Sequence, residues 1–168
     1  MITFSDSLPD SARLWINPTN RGLTPDEQKA VLQALSDFIA TWSSHGREVV
    51  AEAVIAADRF VITAGHVPGG DVSGCGIDAS VHALGSIAQA LDFGWAPALD
   101  VFFRLDDQVT QSDRGTFSKL ASTGAITPDT VVYDTSLTTL GDLRRGGFEL
   151  PARRSWHGRV FRFEIDAA

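Results

Sequence analysis

The stretch GGDVSGCGIDASVH, Gly69 to His82, holds the residues whose types and spacing could do chemistry. The chain's single cysteine, Cys75, stands between Gly74 and Gly76 at the head of a predicted helix, with Asp78 and His82 following at helical spacing. A thiol at a helix N-terminus lies in the positive end of the helix dipole, which favours the thiolate. The same place offers an anion or carboxylate the backbone N–H groups that a helix leaves unpaired in its first turn. The plainer reading is that Ser73 caps the helix, the glycines permit a tight turn and Cys75 is a small buried filler. Cys75 and His82 are about 10 Å apart along an axis that rises 1.5 Å per residue, whereas a nucleophile and its base must come within about 3 Å. Cys75, Asp78 and His82 therefore cannot form a triad by themselves. Asp78 and His82, at i and i+4, can touch, so the aspartate could orient the imidazole. A base for Cys75 must come from elsewhere, and His157 in SWHGR is the candidate; its plainer role is a half-buried histidine stacked near Trp156.

Other chemistries fail on residue type. A P-loop needs Gly-Lys-Ser/Thr to grip phosphates, and the two lysines, Lys29 and Lys119, follow Gln28 and Ser118. The glycines of PGGDVSGCG do not have the spacing that opens a dinucleotide-binding fold. There is no HExxH and no second cysteine for zinc, and a solvated turn explains Asp100, Asp106 and Asp107 better than magnesium does. No metal or cofactor is expected. The net charge of −7 repels nucleic-acid backbones. The one local basic patch, Arg144–Arg145 with Arg153–Arg154, reads as a solvated loop, so no nucleic-acid partner is expected.

The elements that must position these residues follow from periodicity. SARLWIN (11–17) alternates as a half-buried strand. TPDEQKAVLQALSDFIATWSSHG reads as a helix: Thr24 and Glu27 make a capping box, Pro25 suits the first position, Val31, Leu32, Leu35, Phe38, Ile39 and Trp42 form a stripe, and Gly46 is the expected stop. REVVAEAVIA and RFVITAGHV are two strands joined by a turn at Ala57-Asp58-Arg59. A second helix is expected from Ile77 to Leu91, with Ile77, Val81, Leu84, Ala88 and Leu91 inward, and a strand over Ala98–Leu105. Strand, helix, strand, strand, helix, strand is a ferredoxin-like βαββαβ order, an α+β fold with an antiparallel sheet and two helices on one face. The rest is a mixed C-terminal extension: short helices in SDRGTFSKLASTG and TTLGDLRRGG, a strand in ITPDTVVYD, and a closing strand with Phe161, Phe163 and Ile165 alternating.

The 168 residues fit one domain, a core over 11–105 with 106–168 packed on it. Hydrophobic content of 43% is enough to bury a core. No apolar run reaches the roughly 18 residues of a membrane helix, and MITFSDSLPD lacks a basic segment followed by an apolar one. With one cysteine there is no internal disulfide, and a soluble cytoplasmic protein is expected.

ARLWI, DRFVI, SGCGIDASVH and SWHGRVF together resemble a family of small bacterial proteins often labelled "ABC transporter ATPase". The resemblance covers about Ala12 to Phe161. The label implies ATP hydrolysis, for which this chain has no P-loop, and where the family more often has serine after the cysteine this chain has Gly76. The resemblance implies that Ser73, Cys75, Asp78, Ser155, Trp156 and His157 share a site. FSKLASTGAITPDTVVYD is more distantly similar to GYF-type modules that bind peptides. The expectation is a domain binding a small anionic or polar ligand at Ser73–Asp78 (Ser73, Gly74, Gly76, Asp78, His82), with Ser155 and Trp156 also in the site and Trp156 and His157 forming its opposite wall. The alternatives are a thiol-dependent hydrolase or transferase using Cys75 with His157, and a non-catalytic protein-interaction module.

Overall fold

Three pairs of consecutive residues have positive φ at both positions: His45–Gly46, Ala57–Asp58 and Asp106–Asp107. Two such residues in a row make a type I′ turn, whose twist matches that of the strands it joins. Each pair closes a hairpin. The computed structural model describes residues 2–164 and runs in the order β1 (Arg13–Pro18), α1 (Pro25–Ile39), β2 (Ser43–Ser44), β3 (Arg47–Glu48), β4 (Val50–Ala56), β5 (Phe60–His66), α2 (Gly74–Ala90), β6 (Val101–Leu105), β7 (Gln108–Ser112), α3 (Arg114–Ser122), β8 (Val131–Tyr133), α4 (Leu140–Arg144), β9 (Glu149–Pro151), a 3₁₀ turn (Ala152–Arg154) and α5 (His157–Val160). The chain is mixed α+β with antiparallel sheets. Among the described residues no helix is long and apolar enough to cross a membrane.

The chain forms two compact units, 1–96 with 137–144, and 97–136 with 145–168. In the first unit the sheet order is β1-β5-β4, all antiparallel, and β2 pairs with β3 as a separate short ladder. Side chains alternate across β5, and both faces are apolar. On one face Val61 joins Val31 and Leu35 of α1 and Ile87 and Ala88 of α2 in a buried cluster. A second cluster on the first unit gathers Trp42, Val49, Val67 and Val72, with Trp15, Phe38 and Ile77 against it. The opposite face is buried as well, through Leu14, Phe60, Ile62 and Ala64.

Four expectations need correction here. The first helix ends at Ile39 rather than near Gly46, because the chain turns into β2 and β3 through the positive-φ pair His45–Gly46. The second helix starts at Gly74, so Gly74, Cys75 and Gly76 are its first turn. Val81 of that helix is 60% exposed, not inward. Finally, the strand expected over Ala98–Leu105 does not complete the first sheet. It is β6, in the four-stranded sheet β7-β6-β8-β9 of the second unit. The outer edge of β1 is instead met by two short pieces of chain: Trp95 bridges Thr19 with Ala96 N–H donating to the Pro18 carbonyl, and Thr139 bridges Arg13 with Leu14 N–H donating to the Thr138 carbonyl. Pro97 has no N–H to extend the first piece, and the residues between them, 97–136, belong to the second unit.

In the second unit Val101 and Phe103 of β6, Val132 of β8 and Phe117 and Ala121 of α3 form the core, and Phe161 closes it. The Asp106–Asp107 turn makes β6 and β7 a hairpin, so QVTQS is a strand despite its polarity. Among the described residues the expected closing strand is absent: 157–160 is α5, and Phe161 and Phe163 reach Phe117 edge-on from irregular chain. Ile165 of that expected strand lies outside the described residues.

The Thr24 capping box is complete, with the Glu27 amide donating to Thr24 Oγ1 and the Thr24 amide donating to Glu27 Oε2. Arg21, and then the Thr24 amide, hold the Glu27 carboxyl down at about 2. Thr24→Ala is expected to cost about 1 kcal/mol of stability, read in urea unfolding as a lower midpoint with an unchanged slope.

Candidate functional site

The start of α2 is held by residues distant in sequence. Ser73 takes the extended conformation of an N-cap (φ −71°, ψ 166°), and its Oγ accepts from the Gly76 amide at 3.3 Å. Ser44, buried on β2, clasps it: the Ser73 amide donates to Ser44 Oγ and Ser44 Oγ donates to Ser73 Oγ, both at 2.8 Å. Trp42 Nε1 donates to the Gly76 carbonyl at 2.8 Å. A Cβ on Gly76 would lie 3.1 Å from Val72 Cγ1 and 3.4 Å from Ser44 Cβ, so a side chain here would crowd Val72 and touch β2.

What the clasp leaves open is the outer side of the first turn. Gly74, Cys75 and Asp78 are exposed, and a Cβ on Gly74 would meet nothing within 4 Å. With the Gly76 amide spent on Ser73 Oγ and the Ile77 amide on the Ser73 carbonyl, the Gly74 and Cys75 amides face solvent without a partner among the described residues. Arg47 rests its guanidinium against the loop leading into the helix, donating to the Gly69 carbonyl at 3.4 Å and the Pro68 carbonyl at 3.5 Å. Two amides with the helix dipole behind them favour negative charge or a strong hydrogen-bond acceptor. Cys75 is no buried filler.

Asp78 and His82 are adjacent but do not make the expected side-chain pair. His82 Nδ1 donates to the Asp78 backbone carbonyl at 2.8 Å, and Ser86 Oγ in turn donates to the His82 carbonyl. Both contacts belong to the helix surface, where the i−4 carbonyl is the nearest acceptor. Among the described residues no group of three or more His, Cys, Asp or Glu side chains is placed to hold a metal ion.

Ser155, Trp156 and His157 lie in the second unit, whereas Ser73, Cys75, Asp78 and His82 lie in the first. Ser155 Oγ donates to the Ala152 carbonyl at 3.0 Å, accepts from the His157 amide at 3.1 Å and stands 2.9 Å from His157 Nδ1. Gly158 packs directly on this turn, since a Cβ there would be 2.6 Å from the Ala152 carbonyl oxygen. The His157 ring is 1% exposed, stacked on Trp156 at 3.8 Å and bordered by Phe117 and Phe161. Burial pushes its pKa down to about 4; Arg114 adds to the effect and Asp134 opposes it. Trp156 Nε1 donates to Asp134 Oδ1 at 3.2 Å, an oxygen that also accepts from the Ser136 amide and hydroxyl, and the Arg114 guanidinium lies 5.3 Å from the indole centroid. These three tail residues are thus bound into the packing of their own unit.

Sequence reasoning missed Ser44, Trp42 and Arg47 as the supports of α2, and Asp134 and Arg114 as those of Trp156. The available signal was the tripeptide Ser44-His45-Gly46, a turn sequence that the helical stripe through Trp42 concealed. No family model, curated protein or solved structure matches this chain.

The His157 geometry sets a pH dependence. The unfolded chain binds a proton near the ordinary value of 6.5, while the folded chain resists until about 4. Between those values the unfolded state holds more protons, so stability falls as pH drops through that window and is unaffected above it. The loss is on the order of 3 kcal/mol by pH 4. His157→Gln should remove most of this slope, as read by urea unfolding at pH 7 and pH 4.5; an unchanged slope would contradict the assignment.

Proposed function

We propose that the protein is a binding module that receives a small anionic or strongly polar molecule at the N-terminus of α2, on residues Ser73–Asp78. One observation carries the reading: the first turn is clasped from behind by Ser44 and Trp42, so the two amides left without a partner are held in a fixed position on an exposed stretch of chain. Pre-set donors lower the ordering cost of binding. The recognition groups are the Gly74 and Cys75 N–H, with Arg47 as the nearby cation that orients an acidic group. The first unit is acidic, with six basic against twelve acidic side chains over 1–96 and 137–144, giving 6 − 12 = −6. Affinity must therefore come from these local donors rather than from the overall field.

We infer, further, that the first unit is a ferredoxin-like core whose fourth strand is divided. The sheet order β1-β5-β4, the helices after β1 and β5, and the two pieces at 94–96 and 138–139 on the free edge of β1 support that reading. In it, the second unit is an insertion within the fourth strand together with the C-terminal segment.

Gly74→Pro tests the binding reading with little risk to the fold. Proline suits the first helical position, where its missing N–H costs no helical bond, and the extended Ser73 tolerates a following proline. Among phosphate, sulfate, citrate and nucleoside monophosphates, at least one is expected to raise Tm in a thermal-shift screen. Gly74→Pro should weaken that binder at least tenfold in calorimetry, while Cys75→Ala changes it less than about twofold. No Tm rise with any of these, or full affinity in Gly74→Pro, overturns the reading. Loss of function on Cys75→Ala alone would instead favour thiol chemistry at the same helix start, for which the exposure of Cys75 is the supporting observation.

A further inference from the structure

Within the first unit, between the β1–β5 surface and helices α1 and α2, the side chains line a small, partly open cavity. Its walls are apolar: Trp15, Leu35, Phe38, Trp42 and Leu84. Three polar side chains also line it, Asn17 from β1, Thr63 from β5 and Ser80 from α2. Asn17 Nδ2 and Thr63 Oγ1 are buried and have no hydrogen-bond partner, and Thr63 as a whole is 7% exposed. Register explains why both face the same space. Thr63 lies opposite Trp15 and Val61 opposite Asn17, so Asn17 and Thr63 are diagonal neighbours on one face of the sheet. Ser80 Oγ donates to the Ile77 carbonyl at 2.6 Å, which leaves its lone pairs available to accept.

Size and polarity together identify the occupant. The cavity volume is about 10 Å³, close to the roughly 10–15 Å³ that one buried water requires, and buried waters make about three hydrogen bonds. An organic guest of even benzene size needs on the order of 150 Å³. A dry cavity would be stable if its lining were wholly apolar, but two unpaired polar atoms make it unfavourable. We infer that this cavity is a binding site for one structural water, accepting from Asn17 Nδ2, bonded to Thr63 Oγ1 and donating to Ser80 Oγ. The water ties α2 to two strands of the sheet at a level where the wall is otherwise held only by apolar contact. It does not depend on the ligand reading at the other end of α2's first turn.

The direct test is a water-selective NMR experiment on the full chain. A long-lived water should give cross-peaks to the Thr63 methyl group and the Asn17 side-chain amide, and high-resolution diffraction should place a peak within hydrogen-bonding distance of both atoms. The variants test the bridge energetically. Thr63→Val should abolish the cross-peak at Asn17 as well as its own and lower Tm. The double variant Asn17→Leu/Thr63→Val should lower Tm by clearly less than the sum of the two singles, because both polar groups leave together with the water. No water cross-peak and no density, or strictly additive Tm losses, would overturn the inference. If the double variant does not fold, the diffraction experiment on the unaltered chain decides alone.

Discussion

The reciprocal hydrogen bonds between Ser44 and Ser73 are the constraint on which the described site depends. Each neutral bond contributes only about 1 kcal/mol net, less than burying the Trp42 side chain beside them. Their value is directional. Trp42 and its neighbours press the hairpin of β2 and β3 against α2 without specifying a register, while the serine pair and the Trp42–Gly76 bond fix the first turn against β2. Gly76 completes the arrangement by giving up its side chain to the approach of Val72 and Ser44. The consequence is asymmetry: the inner side of the helix start is saturated, and the outer side keeps its donors.

The second unit solves a different problem with similar economy. It has short strands and short helices, so its core relies on aromatic contact, with Phe117 touching Phe103, Phe161, Phe163 and His157. A histidine in that position is kept neutral by desolvation, and its polar edge is met by the Ser155 hydroxyl. Trp156 shields one face of the imidazole and reaches Asp134 with its indole N–H. The polar groups around His157 are enclosed together with their partners, which is what makes their burial tolerable.

Features written in a few neighbouring residues were legible in advance. The Thr24-Pro25-Glu27 helix start and the Ser73 cap are local, because each side chain bonds an amide three residues away. Alternation located β1, and the short turn at Ala57-Asp58-Arg59 between two strand-like runs located β4 and β5. Alternation also misled: Phe161 and Phe163 have strand spacing, yet any extended chain places i and i+2 on one side, and here they meet Phe117 with no strand partner among the described residues. The stripe through Val31 and Leu35 ran on to Trp42 in sequence, but Trp42 lies beyond the helix, buried among Val49, Val67 and Val72 and bonded to the Gly76 carbonyl of α2. QVTQS carries too few apolar residues to read as a strand and becomes one because the Asp106–Asp107 turn folds it onto β6.

The sequence by itself determined the caps of α1 and α2, the turn at Ala57–Asp58 and the acidic, cysteine-poor composition, since these depend on backbone preference and bonds spanning a few residues. Only the tertiary structure decided that β6 leaves the first sheet, that Ser44 stands behind Ser73, and that His157 is enclosed with Trp156 in the second unit. Those outcomes rest on pairings between residues tens of positions apart, where several partners satisfy the same apolar pattern. Close packing and the pairing of buried polar groups select among them, and neither is expressed in any single stretch of chain.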